Sequence, residues 1–342
     1  MSINMLVFEV RETEKKFFEN RNFEGYNINY FEECLNEDFV ENLSQEYLDN
    51  TNVISIAKDS AVTQDVINRF KNLRIMSIRT EDYDQVCITN CEDKNIAVIN
   101  ISQADTRPAA QFTIGLIINL VRNITAADKL IRVTKEFNED FIGRDLSKLT
   151  LGVIGTSHVG AEICCLADAI GMKIIATDSL ARHEITEKYN IEYLPADELA
   201  KKADVISVNL EYTSENFHIF NEDFFSKCKD GAYFVCISKS ELIDYEALYK
   251  YVDNGKIKGV ALDTAPCDSI CYHCKNLTNK LIPLNLECLE QTNYIDKLKK
   301  YDNVIITPCL ASHTKDSTEY ILEKTMQCIK ETLNGGRICR IV

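Results

Sequence analysis

Proline and glycine are scarce in this chain, 5 and 12 of 342 residues, and its 38 lysines and arginines are outnumbered by 53 aspartates and glutamates. With 45% hydrophobic residues, so little proline and glycine fits a globular protein, and nothing in the composition suggests a disordered tail. The net charge of −15 argues against nucleic-acid binding, which wants concentrated lysine and arginine, so no nucleic acid is expected as a partner. No apolar run is long enough to span a bilayer, and the opening MSINMLVFEV lacks a basic n-region. No membrane is expected as a partner, and the expected location is cytoplasmic. There the 14 cysteines would stay reduced, which argues against a disulfide framework.

What is present is an alternation of short apolar strands and amphipathic helices. A chain of 342 residues exceeds one comfortable core, so two domains are expected. From about Thr150 the segments LTLGVIG, KIIATD, DVISVNL, GAYFVCIS and IKGVALD are strand candidates separated by helical stretches such as AEICCLADAIG and DYEALYKYVDNG. Continuous apolar strands between such helices mean a parallel sheet covered on both faces. The first hundred residues repeat the pattern on a smaller scale in MLVFEV, NVISIA, RIMSIRT and NIAVINI, and a long helix, RPAAQFTIGLIINLVRNI, bridges the two regions.

LGVIGTSHVGAEI reads strand, glycine turn, helix, with Gly155 and Gly160 at the first and third glycine places of a G-x-G-x-x-G fingerprint. Such a turn sets a dinucleotide's pyrophosphate against the free amides of a helix N-terminus. Ser157 replaces the middle glycine, and its hydroxyl is itself able to bond phosphate. Asp178 ends the next strand, where an acid accepts from the adenosine ribose hydroxyls and disfavours a 2′-phosphate. NAD is therefore the expected cofactor, against the plainer possibility of a strand–helix turn without a ligand.

These residues resemble the NAD-dependent D-2-hydroxyacid dehydrogenases, D-lactate dehydrogenases included, over nearly the whole chain. The likeness is carried by SIRTEDYDQV, AAQFTIGLIINLVRN, GRDLSKLTLGVIGTSHVG and the long run from DVISVNLEYTSENF to KGVALD. It implies a two-domain α/β fold: a Rossmann-type doubly wound parallel sheet over residues 104–307, plus a smaller flavodoxin-like domain from 1–103 and 308–342. It also implies a homodimer, a small-molecule substrate or ligand in the cleft between the domains, and cofactor contacts at His158, Val159, Asn209, Ile237 and Asp263 as well as the loop and Asp178. Arg79, Thr80, Glu81 and Asp82 fall in the segment that loops around the substrate.

Three residues carry the chemistry of that family, and all three places are changed here. An arginine that forks onto the substrate carboxylate is replaced by Lys239, which keeps the charge and loses the planar fork. The proton-transfer histidine is replaced by Cys309 in TPCLAS, and the glutamate that holds the histidine falls on or near Asp268. Glu81 and Asp82 add negative charge where small residues usually receive the carboxylate. His313, four residues past Cys309, is expected at the surface.

CDSICYHC groups Cys267, Cys271, His273 and Cys274, a pattern able to hold zinc or an iron–sulfur cluster. The chain elsewhere uses cysteine as a small apolar residue, no second C-x-x-C completes a zinc site, and no metal is expected. Three functions stay open: a 2-oxo acid reductase of weak or altered activity, a thiol enzyme using Cys309, and a catalytically silent NAD-binding sensor or partner subunit.

Overall fold

The computed structural model describes residues 2–80, 83–101, 106–134, 141–266 and 286–342, with backbone only for 286–289. The chain divides into two compact units, Met1–Asp105 with Thr314–Val342, and Thr106–His313. Cys309 thus belongs to the second unit.

The first unit holds five strands: β1 (Ile3–Val7), β2 (Tyr26–Tyr30), β3 (Val53–Ile56), β4 (Ile75–Ile78) and β5 (Ala97–Asn100). They pair in parallel in the order β2-β1-β3-β4-β5. The side chains of β1 alternate between two cores, as a period of two requires. Met5 and Val7 pack with Phe17, Phe18, Leu322 and Ile329, from helices Glu12–Glu19 and Lys315–Leu333. Leu6 and Phe8 pack on the opposite face with Val40, Val66 and Ile67. β2 is an edge strand, YNINY, mostly of intermediate burial, and was not among the strand candidates because it has no apolar run.

The free edge of β5 is covered by the C-terminal residues, which run antiparallel to it through the pairing of Ile99 with Arg340. The Asn100 amide donates to the Cys339 carbonyl at 2.9 Å, and Ile341 donates to the Val98 carbonyl at 2.7 Å. This return brings Cys339 against Cys328 of the helix Lys315–Leu333, with Cα atoms 6.2 Å apart, and the two form a disulfide. The expectation that every cysteine stays a thiol is corrected at this pair. Eight other described cysteines share no disulfide with one another, so one cross-link exists among the described residues rather than a framework.

The second unit holds β6 (Thr150–Ile154), β7 (Lys173–Thr177), β8 (Glu192–Tyr193), β9 (Val205–Val208), β10 (Ala232–Cys236), β11 (Ile257–Leu262) and β12 (Val304–Ile306). All pair in parallel, in the order β12-β11-β10-β9-β6-β7-β8. The chain leaves β6 in one direction to β7 and β8, then crosses to β9 on the other side. That reversal is a topological switch point, where an open α/β sheet leaves a crevice at its carboxyl edge. The helix Arg107–Arg122 buries Ile114, Leu116, Ile117, Leu120 and Val121 with Val153 and Ile163. Most of its apolar surface is therefore used inside the unit. Among the described residues no helix is long and apolar enough to cross a membrane.

Candidate cofactor and catalytic site

Gly155 follows β6 at the switch point and turns the chain with φ +87°. A Cβ there would lie 2.6 Å from the Asn209 carbonyl oxygen, and one at Gly160 would lie 2.0 Å from the Gly155 oxygen. Neither place accepts a side chain, because the helix His158–Ile170 starts hard against the strand it follows. The first amides of that helix have no partner within it, which is the cradle an anionic phosphate fits. Ser157 is its N-cap in extended backbone, makes no side-chain capping bond, and is exposed, as is His158. Val159 points the other way and packs on the core. Asn209 is 7% exposed, donates its amide N–H to the Ile154 carbonyl at 2.8 Å, and is tied by its side chain to Ser207.

Asp178 follows β7 and braces this turn. One carboxylate oxygen accepts from the Thr156 amide at 2.6 Å and the Thr156 hydroxyl at 3.0 Å, and the other from the Leu180 amide and the Ser179 hydroxyl. Burial works against its charge, but the donors from Thr156, Leu180 and Ser179 outweigh it and hold the carboxyl below its usual range. Two of the four donors are hydroxyl rotors, which a ribose diol can replace. Arg182 and Tyr193, which the sequence did not single out, close the same corner. Arg182 donates to the Ser157 carbonyl at 3.4 Å and Tyr193 to the Thr156 hydroxyl at 2.9 Å.

Asp263 organises the other end of the edge. It follows β11, is 2% exposed, and accepts from the Thr307 hydroxyl at 2.5 Å, the Leu310 amide at 2.9 Å and the Ala311 amide at 2.7 Å. Its own carbonyl accepts from the Cys309 amide at 2.8 Å. Cys309 is held in the left-handed region at φ +53°, with its thiol half-buried. Burial pushes the Asp263 carboxyl up, and the donors at Thr307, Leu310 and Ala311 do not overcome it. The neighbouring Thr264 hydroxyl donates to the Ser238 carbonyl at 2.6 Å, next to Lys239. Lys239 is exposed and caps a short 3-10 turn, and Ile237 before it is half-buried. The Lys239 and Cys309 turns are thus both anchored on residues 263–264. His313 is exposed.

In the first unit, Arg79 is 5% exposed and its guanidinium donates to the Ser55 hydroxyl at 2.9 Å and the Phe8 carbonyl at 2.7 Å, with Glu14 at 3.5 Å. Burial lowers its pKa against the opposing pull of Glu14 and Glu9. The Thr80 carbonyl accepts from the Asn100 side chain at 2.7 Å. Glu9, at φ +58°, accepts from the amides of Ala57, Asp59 and Ser60 at 3.1, 2.7 and 3.1 Å, and from the Ser60 hydroxyl. An acid directly after the first strand, where β1 meets β3, was the only signal for it in the sequence. Glu81, Asp82, Asp268 and the cysteine group at 267, 271 and 274 with His273 lie outside the described residues. Among the described residues no cluster of histidine, cysteine or acid side chains is able to hold a metal ion.

Residues 114–311 match the family model of the D-isomer specific 2-hydroxyacid dehydrogenase, NAD binding domain. The chain is 28% identical over 294 residues to an aromatic 2-oxoacid reductase of Clostridium sporogenes, covering 84% of this chain and 86% of that one. It is 27% identical over 344 residues to a D-lactate dehydrogenase of Lactiplantibacillus plantarum, covering 98% of both. The solved D-lactate dehydrogenase of Aquifex aeolicus, complexed with NAD and lactic acid, superposes with a TM-score of 0.79 at 26% identity over 99% of both chains.

Proposed function

Because the chain belongs to the D-isomer specific 2-hydroxyacid dehydrogenases, we propose that it binds NAD(H) in preference to NADP(H) and reduces 2-oxo acids only slowly. The glycine turn carries the first half of this reading. Gly155 and Gly160 leave no room for a side chain, and the helix amides with the Ser157 hydroxyl would hold the pyrophosphate. Asp178, kept ionised by its donors, would accept from the ribose diol and repel a 2′-phosphate.

The second half rests on Lys239 and Cys309. Reduction of a 2-oxo acid adds a hydride, which bound NADH supplies, and a proton to the carbonyl oxygen. The proton must come from a donor whose pKa lies near working pH, and an ordinary thiol sits about two units above an imidazole. Lys239 attracts the substrate carboxylate as a point charge but does not orient it with two parallel bonds. Both defects act on one transition state. The substrate class is that of the relatives, 2-oxo acids with small or aromatic side chains.

Steady-state NADH oxidation over a panel of such acids tests the reading. Turnover near the enzyme norm of about 10 per second would overturn it. A second reading, a thiol nucleophile, is favoured by the half-buried Cys309 on its left-handed turn at a strand end. Alkylation of Cys309 that abolishes a different turnover would select it. The proposal extends to a cytoplasmic homodimer. The helix Ile124–Thr134 exposes Ile124, Ile131 and Val133 at 51%, 51% and 82%, which is apolar surface for a second copy. A monomeric mass by light scattering at micromolar concentration would refute the dimer.

A further inference from the structure

We propose that Cys328 and Cys339 form a reversible redox latch, oxidised by small disulfides of the glutathione class, that fastens the C-terminal strand to the β5 edge and steadies Thr80. Three observations carry it. Cys328 is 1% exposed within the helix that packs beneath the sheet, whereas Cys339 is half-buried at the surface end of the pair. An incoming small disulfide therefore meets Cys339 first. The two lie only 11 positions apart in the sequence, and the intervening residues contain the Asn334–Gly335–Gly336 turn that lets the chain reverse. Cys339 also stands at φ +60°, a conformation that a residue with a Cβ holds only under constraint.

The latch matters because of what Cys339 touches. Its carbonyl accepts the Asn100 amide at 2.9 Å, and the Asn100 side chain in turn donates to the Thr80 carbonyl at 2.7 Å. On the same edge Val98 donates to the Val342 carbonyl at 3.2 Å and Ile341 donates back to Val98 at 2.7 Å. The disulfide, the edge strand and the Thr80 segment form one connected chain of bonds inside the first unit. Reduction leaves four residues held by edge hydrogen bonds alone, and an edge strand so short frays readily.

The exchange balances without any further reagent. The Cys339 thiolate attacks one sulfur of the small disulfide, forming a mixed disulfide and releasing one small thiol. The Cys328 thiolate then displaces the second small thiol and closes the protein bond. Two protein S–H bonds and one small S–S bond are lost, while one protein S–S and two small S–H bonds form. Two electrons pass from the protein sulfurs to the small molecule.

The test uses the full chain, reduced with dithiothreitol or equilibrated with oxidised glutathione. Alkylation followed by peptide mass mapping should show Cys328 and Cys339 blocked only in the reduced form. Hydrogen exchange at the amides of Val98, Asn100 and Ile341 should be at least about tenfold faster in the reduced protein, with Thr80 and its neighbours following. Cys339→Ser and Cys328→Ser should exchange at the fast rate under both conditions. Titration with NADH, read by fluorescence, reports the other unit and should be the same in both redox states. These readouts need no turnover, so loss of the 2-oxo acid reading leaves them intact. Equal exchange in the two states, or a pair that glutathione disulfide does not close, would overturn the latch. Should Cys328→Ser fail to fold, Cys339→Ser alone decides the outcome.

Discussion

The turn after β6 and the turn after β12 lie on the same carboxyl edge of one sheet, yet they depend on the sequence in different ways. The first is made by what is absent. Gly155 and Gly160 have no Cβ, so a strand and a helix approach until their backbones touch, and free amides remain at the helix start. The second is made by what is present. Asp263 gathers Thr307, Leu310 and Ala311 and thereby holds Cys309 at φ +53°. A side chain can change at the second turn with the fold intact, because the backbone bonds of residues 309–311 run to Asp263 and not to the thiol. The glycine turn allows no such freedom. The turn at Cys309 thus tolerates a change of side chain that the glycine turn does not.

The two aspartates sharpen the contrast. Asp178 is pulled below the usual carboxylate range by its four donors, although burial resists. Asp263, more deeply buried, is pushed above that range despite three donors. Near water, donors win; where water is excluded, the loss of hydration wins.

The largest effect is expected at the glycines. Gly160→Ala places a methyl 2.0 Å from a backbone oxygen that cannot swing aside, and should cost about 3 kcal/mol or more with loss of NADH binding. Denaturant melts and NADH fluorescence measure both, and a variant of unchanged stability would show the helix free to slide.

The second effect lies in the chemistry. Cys309→His alone should change 2-oxo acid turnover little, whereas Cys309→His with Lys239→Arg and Asp268→Glu should raise it by about 10²-fold, because residues of one catalytic unit act together. Steady-state kinetics of the single and triple variants decide this. A single change that recovers the whole gain would mean Lys239 is no handicap.

Asp178→Ala should weaken NADH binding by about tenfold and leave NADPH weak, so that discrimination shrinks. Competition titrations read the ratio directly. Unchanged preference would move nucleotide selection to another residue, with Arg182 the first to examine.

The smallest effect is the pH dependence of stability, and the two acids should give it opposite signs. With its pKa lowered on folding, Asp178 contributes stability above the ordinary carboxylate value and loses it as pH falls through the lowered one. With its pKa raised, Asp263 contributes most below the ordinary value and loses that part as pH rises through the raised one. Between about pH 3 and 7, the wild-type advantage in Tm over Asp178→Asn should therefore grow as the advantage over Asp263→Asn shrinks, each by a degree or two, roughly. Parallel trends would refute the assignment of opposite environments.

The strands from LTLGVIG to IKGVALD and the glycine turn were legible in the sequence, since each rests on a contiguous pattern of apolar period or spacing. β2 was not, because an edge strand of alternating asparagine and tyrosine lacks the apolar run that marked its neighbours. Glu9 was passed over for a related reason. Its partners lie about fifty residues away, in a loop whose position depends on strand order.

By itself the sequence determined a two-domain α/β chain of this family and its dinucleotide turn. Those are properties of residue type and local spacing, which propensity, apolar period and the size of a side chain fix within a few turns. The tertiary structure alone decided that Asp178 and Asp263 sit in opposite electrostatic settings, that Asp263 sets the backbone of Cys309, and that Cys339 returns to Cys328 across the β5 edge. Each joins residues brought together by packing. Burial, donor geometry and the meeting of two thiols exist only once the sheets have assembled.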